Sequence, residues 1–146
     1  MTQRLKLECF FDGSIGPTAT GTAAYGFVIK DSGTGDPVYS SYGLVGRGPL
    51  QSVNTAEYEG LYQAMTYIVE HHPDADVQFY GDSQLVIEQM AGRASAKRGR
   101  YLPYYRKTML LASAYILSGQ WQFAWIPRAL NSEADDLAQY SRYPNN

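Results

Sequence analysis

From Leu5 onward, Leu5, Leu7, Cys9 and Phe11 alternate with Lys6, Glu8, Phe10 and Asp12, the period of two that a strand requires. Asp12-Gly13 is expected to close that strand, and a loop rich in Gly, Thr and Ala through Gly21 leads to a second strand over residues 24–30. The run Ser32-Gly33-Thr34-Gly35-Asp36-Pro37 predicts a reversal before a third strand over 38–45. Two short links in succession point to an antiparallel meander. The period then changes. Apolar residues at helical spacing predict a helix over 54–70, ended by His71-His72-Pro73, where the histidines are read as helix-end residues. A short strand over 77–80, a helix over 83–90, a long helix over 102–117, a strand over 121–126 and a last helix over 132–141 complete the chain. The order β-β-β-α-β-α-α-β-α implies an α/β fold, a five-stranded mixed sheet flanked by helices.

A chain of 146 residues with 45% hydrophobic and 14% aromatic residues can bury one ordinary core and not two, so residues 1–146 are read as a single domain. The one cysteine, Cys9, excludes an intrachain disulfide. Met1 leads through Arg4 and Lys6 directly into a strand, without the apolar stretch of a secretory leader, and a reducing cytoplasm is the expected location. No apolar run approaches the ~18 residues of a membrane span. No repeat, long linker or oligomer signal is visible, so a monomer without a protein partner is expected. The net charge of −2 conceals an asymmetry. Between Gln89 and Ser132 there is no acid, while Arg93, Lys97, Arg98, Arg100, Arg106, Lys107 and Arg128 supply seven positive charges. Such a stretch can bind phosphates although the whole molecule is acidic. Taken alone, it reads equally well as a solvated basic surface.

Four carboxylates fall at predicted element ends. Asp12 closes the first strand and Asp82 follows the fourth; a turn residue and a helix cap are the plain alternatives. Glu57 stands three residues after Asn54, as a capping residue would. It shares a helical stripe with Leu61, Ala64, Met65 and Ile68, however, whereas Glu59, Gln63, Thr66 and Glu70 mark the polar face. An acid on a buried stripe needs a raised pKa or a cation beside it. In the last helix, Asp135 lies on the flank of the stripe formed by Ala134, Leu137 and Ala138, and Asp136 points away from it. Strand ends and helix starts in α/β folds gather at one edge of the sheet, where ligand sites form.

Four segments carry a resemblance: Phe11-Asp12-Gly13-Ser14, Asn54-Thr55-Ala56-Glu57-Tyr58, Gly81-Asp82-Ser83-Gln84, and Trp125-Ile126-Pro127-Arg128 followed by Asn131, Ala134-Asp135 and Leu137-Ala138. In this order, with matching elements between them, they resemble the type 1 ribonuclease H family over residues 5–141. The resemblance implies the ribonuclease H-like fold and an endonuclease that cuts the RNA strand of an RNA/DNA hybrid, leaving 5′-phosphate and 3′-hydroxyl ends. It further implies that Asp12, Glu57, Asp82 and Asp135 are the catalytic, metal-binding acids. Two Mg²⁺ ions are implied, with Mn²⁺ an alternative; Asp12 would bridge both, Glu57 and Asp82 hold one, and Asp135 the other. Such a pair suits phosphodiester hydrolysis, and carboxylate oxygens are the ligands Mg²⁺ prefers. Asn54, Gln84, Lys97, Arg98, Arg128 and Asn131 match positions expected to contact the hybrid, its 2′-hydroxyls being what marks it as RNA.

The sequence also departs from the family. No His stands in the loop before the last helix; Ile126-Pro127-Arg128 stands there, and Arg128 is expected to contact phosphate instead. The loop after Asp12 lacks an Arg-Gly-Asn-Pro pattern, Val53 replaces a second Asn, and Ala94 stands where an aromatic often marks the DNA channel. These losses concern grip on the hybrid rather than chemistry. They support an alternative, a weakly active or silent ribonuclease H-like binding module. Against it, a silent module has no need for four acids that repel one another.

Overall fold

The computed structural model describes residues 4–18 and 21–142. Its elements are β1 (Lys6–Gly16), β2 (Thr22–Asp31), β3 (Pro37–Arg47), α1 (Val53–His71), β4 (Asp76–Gly81), α2 (Gln84–Met90), α3 (Leu102–Leu117), β5 (Trp121–Trp125) and α4 (Ser132–Arg142). A 3-10 turn, Arg128–Leu130, which the periodicity did not predict, precedes α4. The order of elements is the predicted one. The strands form one sheet in the order β3-β2-β1-β4-β5. β1, β2 and β3 are antiparallel neighbours, and β4 and β5 run parallel to β1. Among the described residues no helix is long and apolar enough to cross a membrane.

The alternation along each strand divides the sheet into two faces. Leu7, Cys9 and Phe11 of β1, Phe27 and Ile29 of β2, Val77 and Phe79 of β4, and Trp121 of β5 are buried together with Tyr58, Leu61, Met65 and Ile68 of α1. Each such large side chain, fully buried, stabilises the fold by roughly 1.5–3 kcal/mol. Residues of opposite phase face α4. The Ser14 hydroxyl donates to the Ala138 carbonyl, and a Cβ at Gly26 would lie within 2.7 Å of Leu137 and of the Ala134 and Ala138 backbone. Only glycine lets α4 rest this closely on β2. Tyr101, Tyr104 and Tyr105 pack against the core. At the end of α1 the His72 N–H donates to the Ile68 carbonyl, and the His71 ring stacks on Tyr67.

Two expectations are corrected. β1 does not end at Gly13 but continues to Gly16, because β2 goes on pairing with it from Gly13↔Tyr25 to Gly16↔Thr22. Asp12 is therefore inside a strand; β4, on the other side, stops pairing at Phe10↔Tyr80, which opens one flank of β1 beside it. Part of the predicted glycine-rich loop, residues 19–20, lies outside the described residues. The second correction concerns the start of α1. Ser52, not Asn54, is the N-cap: its hydroxyl accepts from the Thr55 N–H, and the Thr55 hydroxyl accepts from the Ser52 N–H. This capping box satisfies the helix start without Glu57. The capping explanation for that acid is gone.

Candidate active site

Three local features bring acids from distant parts of the chain together. A Cβ on Gly13 would lie 2.4 Å from the Glu57 nitrogen and 2.6 Å from the Ala56 carbonyl carbon. With glycine there, the start of α1 lies directly on β1, and Glu57 arrives beside Asp12. Asp82 follows the last residue of β4, where its carbonyl accepts from Trp125 Nε1 at 3.0 Å and the neighbouring Gly81 carbonyl accepts from the Ile126 N–H. Asp135 sits in the first turn of α4. Asp12, Glu57 and Asp82 each offer a carboxylate oxygen within 4.8 Å of the others. Asp135 lines the same cleft, a space of about 250 Å³ that Gly13, Val53, Arg128 and Gln139 also border.

Burial makes this cluster costly without a counter-charge. Asp12 is 4% exposed and Glu57 3%, and Glu57 Oε2 has no hydrogen-bond partner. Burial, then the charge of Asp12, holds the Glu57 carboxyl well above the usual carboxylate range. Burial also pushes Asp12 up to about 7, with Asp82 and Asp135 acting the same way. Asp82 is raised too, first by burial, although Asn131 and Arg128 oppose the shift. Arg128 lies 3.6 Å from Asp135. An all-oxygen donor set with a buried, unpartnered carboxylate oxygen fits a hard divalent cation.

This electrostatic state predicts a pH effect on the metal-free protein. In the unfolded chain Asp12 titrates near ~3.9, so between there and about 7 the folded state binds the extra proton. The stability it contributes is fully present below the unfolded value and is lost as pH rises through the folded value. Calorimetry with chelator present should show the unfolding free energy falling by on the order of a few kcal/mol from pH 4 to pH 7.5 relative to Asp12→Asn. A difference independent of pH would contradict the buried-acid picture.

The remaining expected site residues fall into separate places. Asn54 is half-buried in the first turn of α1, and Gln84 is exposed at the first position of α2. Lys97 and Arg98 are exposed on the segment between α2 and α3 and do not border the cleft. Arg128 stands at its rim. Asn131 is buried beside the cleft rather than exposed at its rim. It is 1% exposed, and its side-chain amide donates to the Phe11 carbonyl at 2.9 Å, so it ties the turn before α4 to β1. The basic stretch is also smaller than its seven charges suggested. Arg93 pairs with Glu88, Lys107 with Glu59, and Arg128 with Asp135, which leaves Lys97, Arg98, Arg100 and Arg106 without an ion pair among the described residues. Sequence reasoning missed Gln139 and Ile15 as lining residues; a polar residue one turn after Asp135 was the available signal for Gln139.

Fold and cleft together define a class: a ribonuclease H-like α/β domain with four carboxylates converging at the open flank of β1. The chain belongs to the reverse transcriptase-like family, whose family model matches residues 10–141, and its likeness runs to type 1 ribonucleases H. The N-terminal RNase H domain of Rv2228c from Mycobacterium tuberculosis superposes with a TM-score of 0.82 at 30% identity, covering 96% of this chain and 95% of that one. Against the full bifunctional protein Rv2228c, identity is 33% over 118 residues, 81% of this chain but 30% of that protein. RNase H1 of Halobacterium salinarum superposes with a TM-score of 0.77 at 29% identity, covering 95% and 98% of the two chains. The match to ribonuclease HI of that organism, 33% identical, covers 91% of this chain and 62% of that protein. LC11-RNase H1, solved in complex with an RNA/DNA hybrid, gives a TM-score of 0.78 at 26% identity over 90% of this chain and 92% of that one.

Proposed function

We propose that this chain is an endoribonuclease that hydrolyses the RNA strand of RNA/DNA hybrids at the cleft of Asp12, Glu57, Asp82 and Asp135. The observation that carries the reading is the buried carboxylate cluster, with an unpartnered Glu57 oxygen, in a chain of this family. The hybrid seen with LC11-RNase H1 supports the choice of substrate. Asp12, Glu57 and Asp82 would hold one divalent cation, Mg²⁺ or Mn²⁺, and Asp12 and Asp135 a second. When bound, such a pair supplies an activated water and stabilises the leaving oxygen of an in-line displacement, giving 5′-phosphate and 3′-hydroxyl ends. Arg128, exposed at the rim and 3.6 Å from Asp135, contacts a phosphate next to the scissile one, and Asn54 and Gln84 approach 2′-hydroxyls. Asn131 keeps Asp82 and the turn before α4 in register with β1.

Incubating the protein with one labelled hybrid beside duplex DNA, duplex RNA and a four-way junction tests the reading. Cleavage confined to the RNA of the hybrid is expected. Binding of the hybrid without cleavage at any divalent-cation concentration would identify a silent binding module, and cleavage of the junction a resolvase.

Grip by the basic segment has its own signature. With Arg93 held by Glu88, three cations, Lys97, Arg98 and Arg100, remain to neutralise phosphates. Counterion release then gives a slope of log K against log salt near −2.7, about a 40-fold loss of affinity from 50 to 200 mM salt. Replacing Lys97 and Arg98 with Ala should flatten the slope by up to ~2 units, measured by titrating Asp12→Asn protein with hybrid. An unchanged slope would remove the segment from the substrate path.

A further inference from the structure

Gln89, on α2, is an amide in the wrong place for one. It is 1% exposed and among the largest fully buried side chains, on a helix whose Val86, Ile87 and Met90 belong to the core. Burying an amide without partners costs several kcal/mol on transfer scales, so its partners explain its presence. Its Oε1 accepts from the Tyr58 hydroxyl at 2.5 Å. Its Nε2 donates twice, to the Tyr101 hydroxyl at 2.9 Å and to the Ser95 carbonyl at 3.2 Å. One side chain thereby joins α1, α2, the start of α3 and the irregular segment between α2 and α3.

That segment has little else to hold it. The Arg93 and Ala94 N–H groups donate to the Glu88 carbonyl at one end, and Leu102 N–H donates to the Gly99 carbonyl at the other. Between them, among the described residues, the bond from Gln89 to Ser95 is the one polar tether. The Tyr101 ring, which Gln89 also holds, stacks on Tyr58 with centroids 5.8 Å apart. Lys97, Arg98 and Arg100 lie on this tethered stretch, exposed. α2, seven residues and roughly 10 Å long, begins two positions after Asp82, so the tether fixes the basic segment relative to the acidic cleft.

We infer that Gln89 is a positioning residue for substrate grip: it orders the segment that carries Lys97 and Arg98, so that these cations meet the hybrid without first losing conformational freedom. The inference rests on the hybrid-binding reading above for its functional half, and on geometry alone for its structural half. Preorganised cations bind more tightly than mobile ones because ordering is not charged against association. A leucine of similar size would fill the space and lose all three bonds.

The test separates the two halves. Trypsin cleavage after Lys97 and Arg98, followed by mass spectrometry without nucleic acid, should be about tenfold faster in Gln89→Leu than in the wild type, at a temperature well below the melting point of both. Should Gln89→Leu fail to fold, Tyr101→Phe, which removes one of the three bonds, takes its place with a smaller effect in the same direction. In the Asp12→Asn background, Gln89→Leu should weaken hybrid binding about five- to tenfold, and in the active enzyme the change should fall on KM more than on kcat. Combined with Lys97→Ala, Arg98→Ala and Arg100→Ala, it should add nothing further, a non-additivity that general loss of stability would not produce. Unchanged trypsin cleavage, or full additivity with the lysine and arginine replacements, overturns the inference. Absence of salt-dependent hybrid binding by the Asp12→Asn parent itself overturns the hybrid-binding reading instead, and with it the role in grip, while the tether is still judged by trypsin.

Discussion

Asp12→Asn is expected to reduce hybrid cleavage by on the order of 10³-fold or more in kcat while leaving the fold intact and hybrid binding largely so. Asp12 is the acid the others surround: its carboxylate approaches both Glu57 and Asp82, and the charges of Asp82 and Asp135 bear on it. In the two-cation arrangement proposed above, Asp12 is the acid that both ions would share. The same substitution removes a like charge from a buried cluster. Without metal, the variant should therefore melt several degrees higher than the wild type at neutral pH, since 1 kcal/mol is worth roughly 2–8 °C in domains of this size range. Paired measurements, single-turnover cleavage of a labelled hybrid at saturating Mg²⁺ and melting in chelator, check both halves. Turnover within tenfold of wild type would show that the metal centre lies elsewhere.

Much of the fold, and the odd placement of one acid, is legible in the sequence, and the reason is physical. Strand and helix periods survive in the sequence, so β-β-β-α-β-α-α-β-α was legible, and Glu57 stood out because it occupies an apolar stripe that acids avoid. The pairing of strands was less legible. Whether β1 stopped at Gly13 depended on β2, whose residues Thr22 to Tyr25 continue the ladder, and turn chemistry at Asp12-Gly13 signalled an end that tertiary pairing overrode. The cap of α1 was misplaced for a similar reason: Asn54 and Ser52 are both good capping residues, and only the reciprocal bonds with Thr55 select Ser52. Charge was the least legible quantity. A count along the chain gave seven cations, but Glu88, Glu59 and Asp135 lie outside that count's pattern and neutralise three of them in space. The burial of Asn131 and its bond to the Phe11 carbonyl follow from how the turn before α4 folds back, which no periodicity encodes.

The choice between neighbouring acids on α4 gives the last expected result: Asp135→Asn should lower kcat about 10²-fold, and Asp136→Asn should leave it within about twofold. One residue along a helix is a rotation of about 100°, enough to separate a cleft from solvent. Asp135 is 22% exposed at its side chain, lies 3.6 Å from Arg128, and borders the cleft with Asp12 and Glu57. Asp136 is exposed and borders nothing there. Glu133, the other acid of this turn, is drawn away from the cleft by its ion pair with Lys30. Loss of the Asp135 charge should also relieve Asp12, whose carboxyl it helps to raise, so the pH dependence of metal-free stability should weaken in Asp135→Asn and persist in Asp136→Asn. This second readout matters because it does not depend on turnover: it reports whether the residue shares the electrostatics of the cluster. Measuring kcat at saturating hybrid together with melting temperatures in chelator from pH 5 to pH 8 for both variants decides the matter. The reverse ranking in both would move the fourth acid of the site from Asp135 to Asp136 and require α4 to be rotated on β2 about the close contact at Gly26.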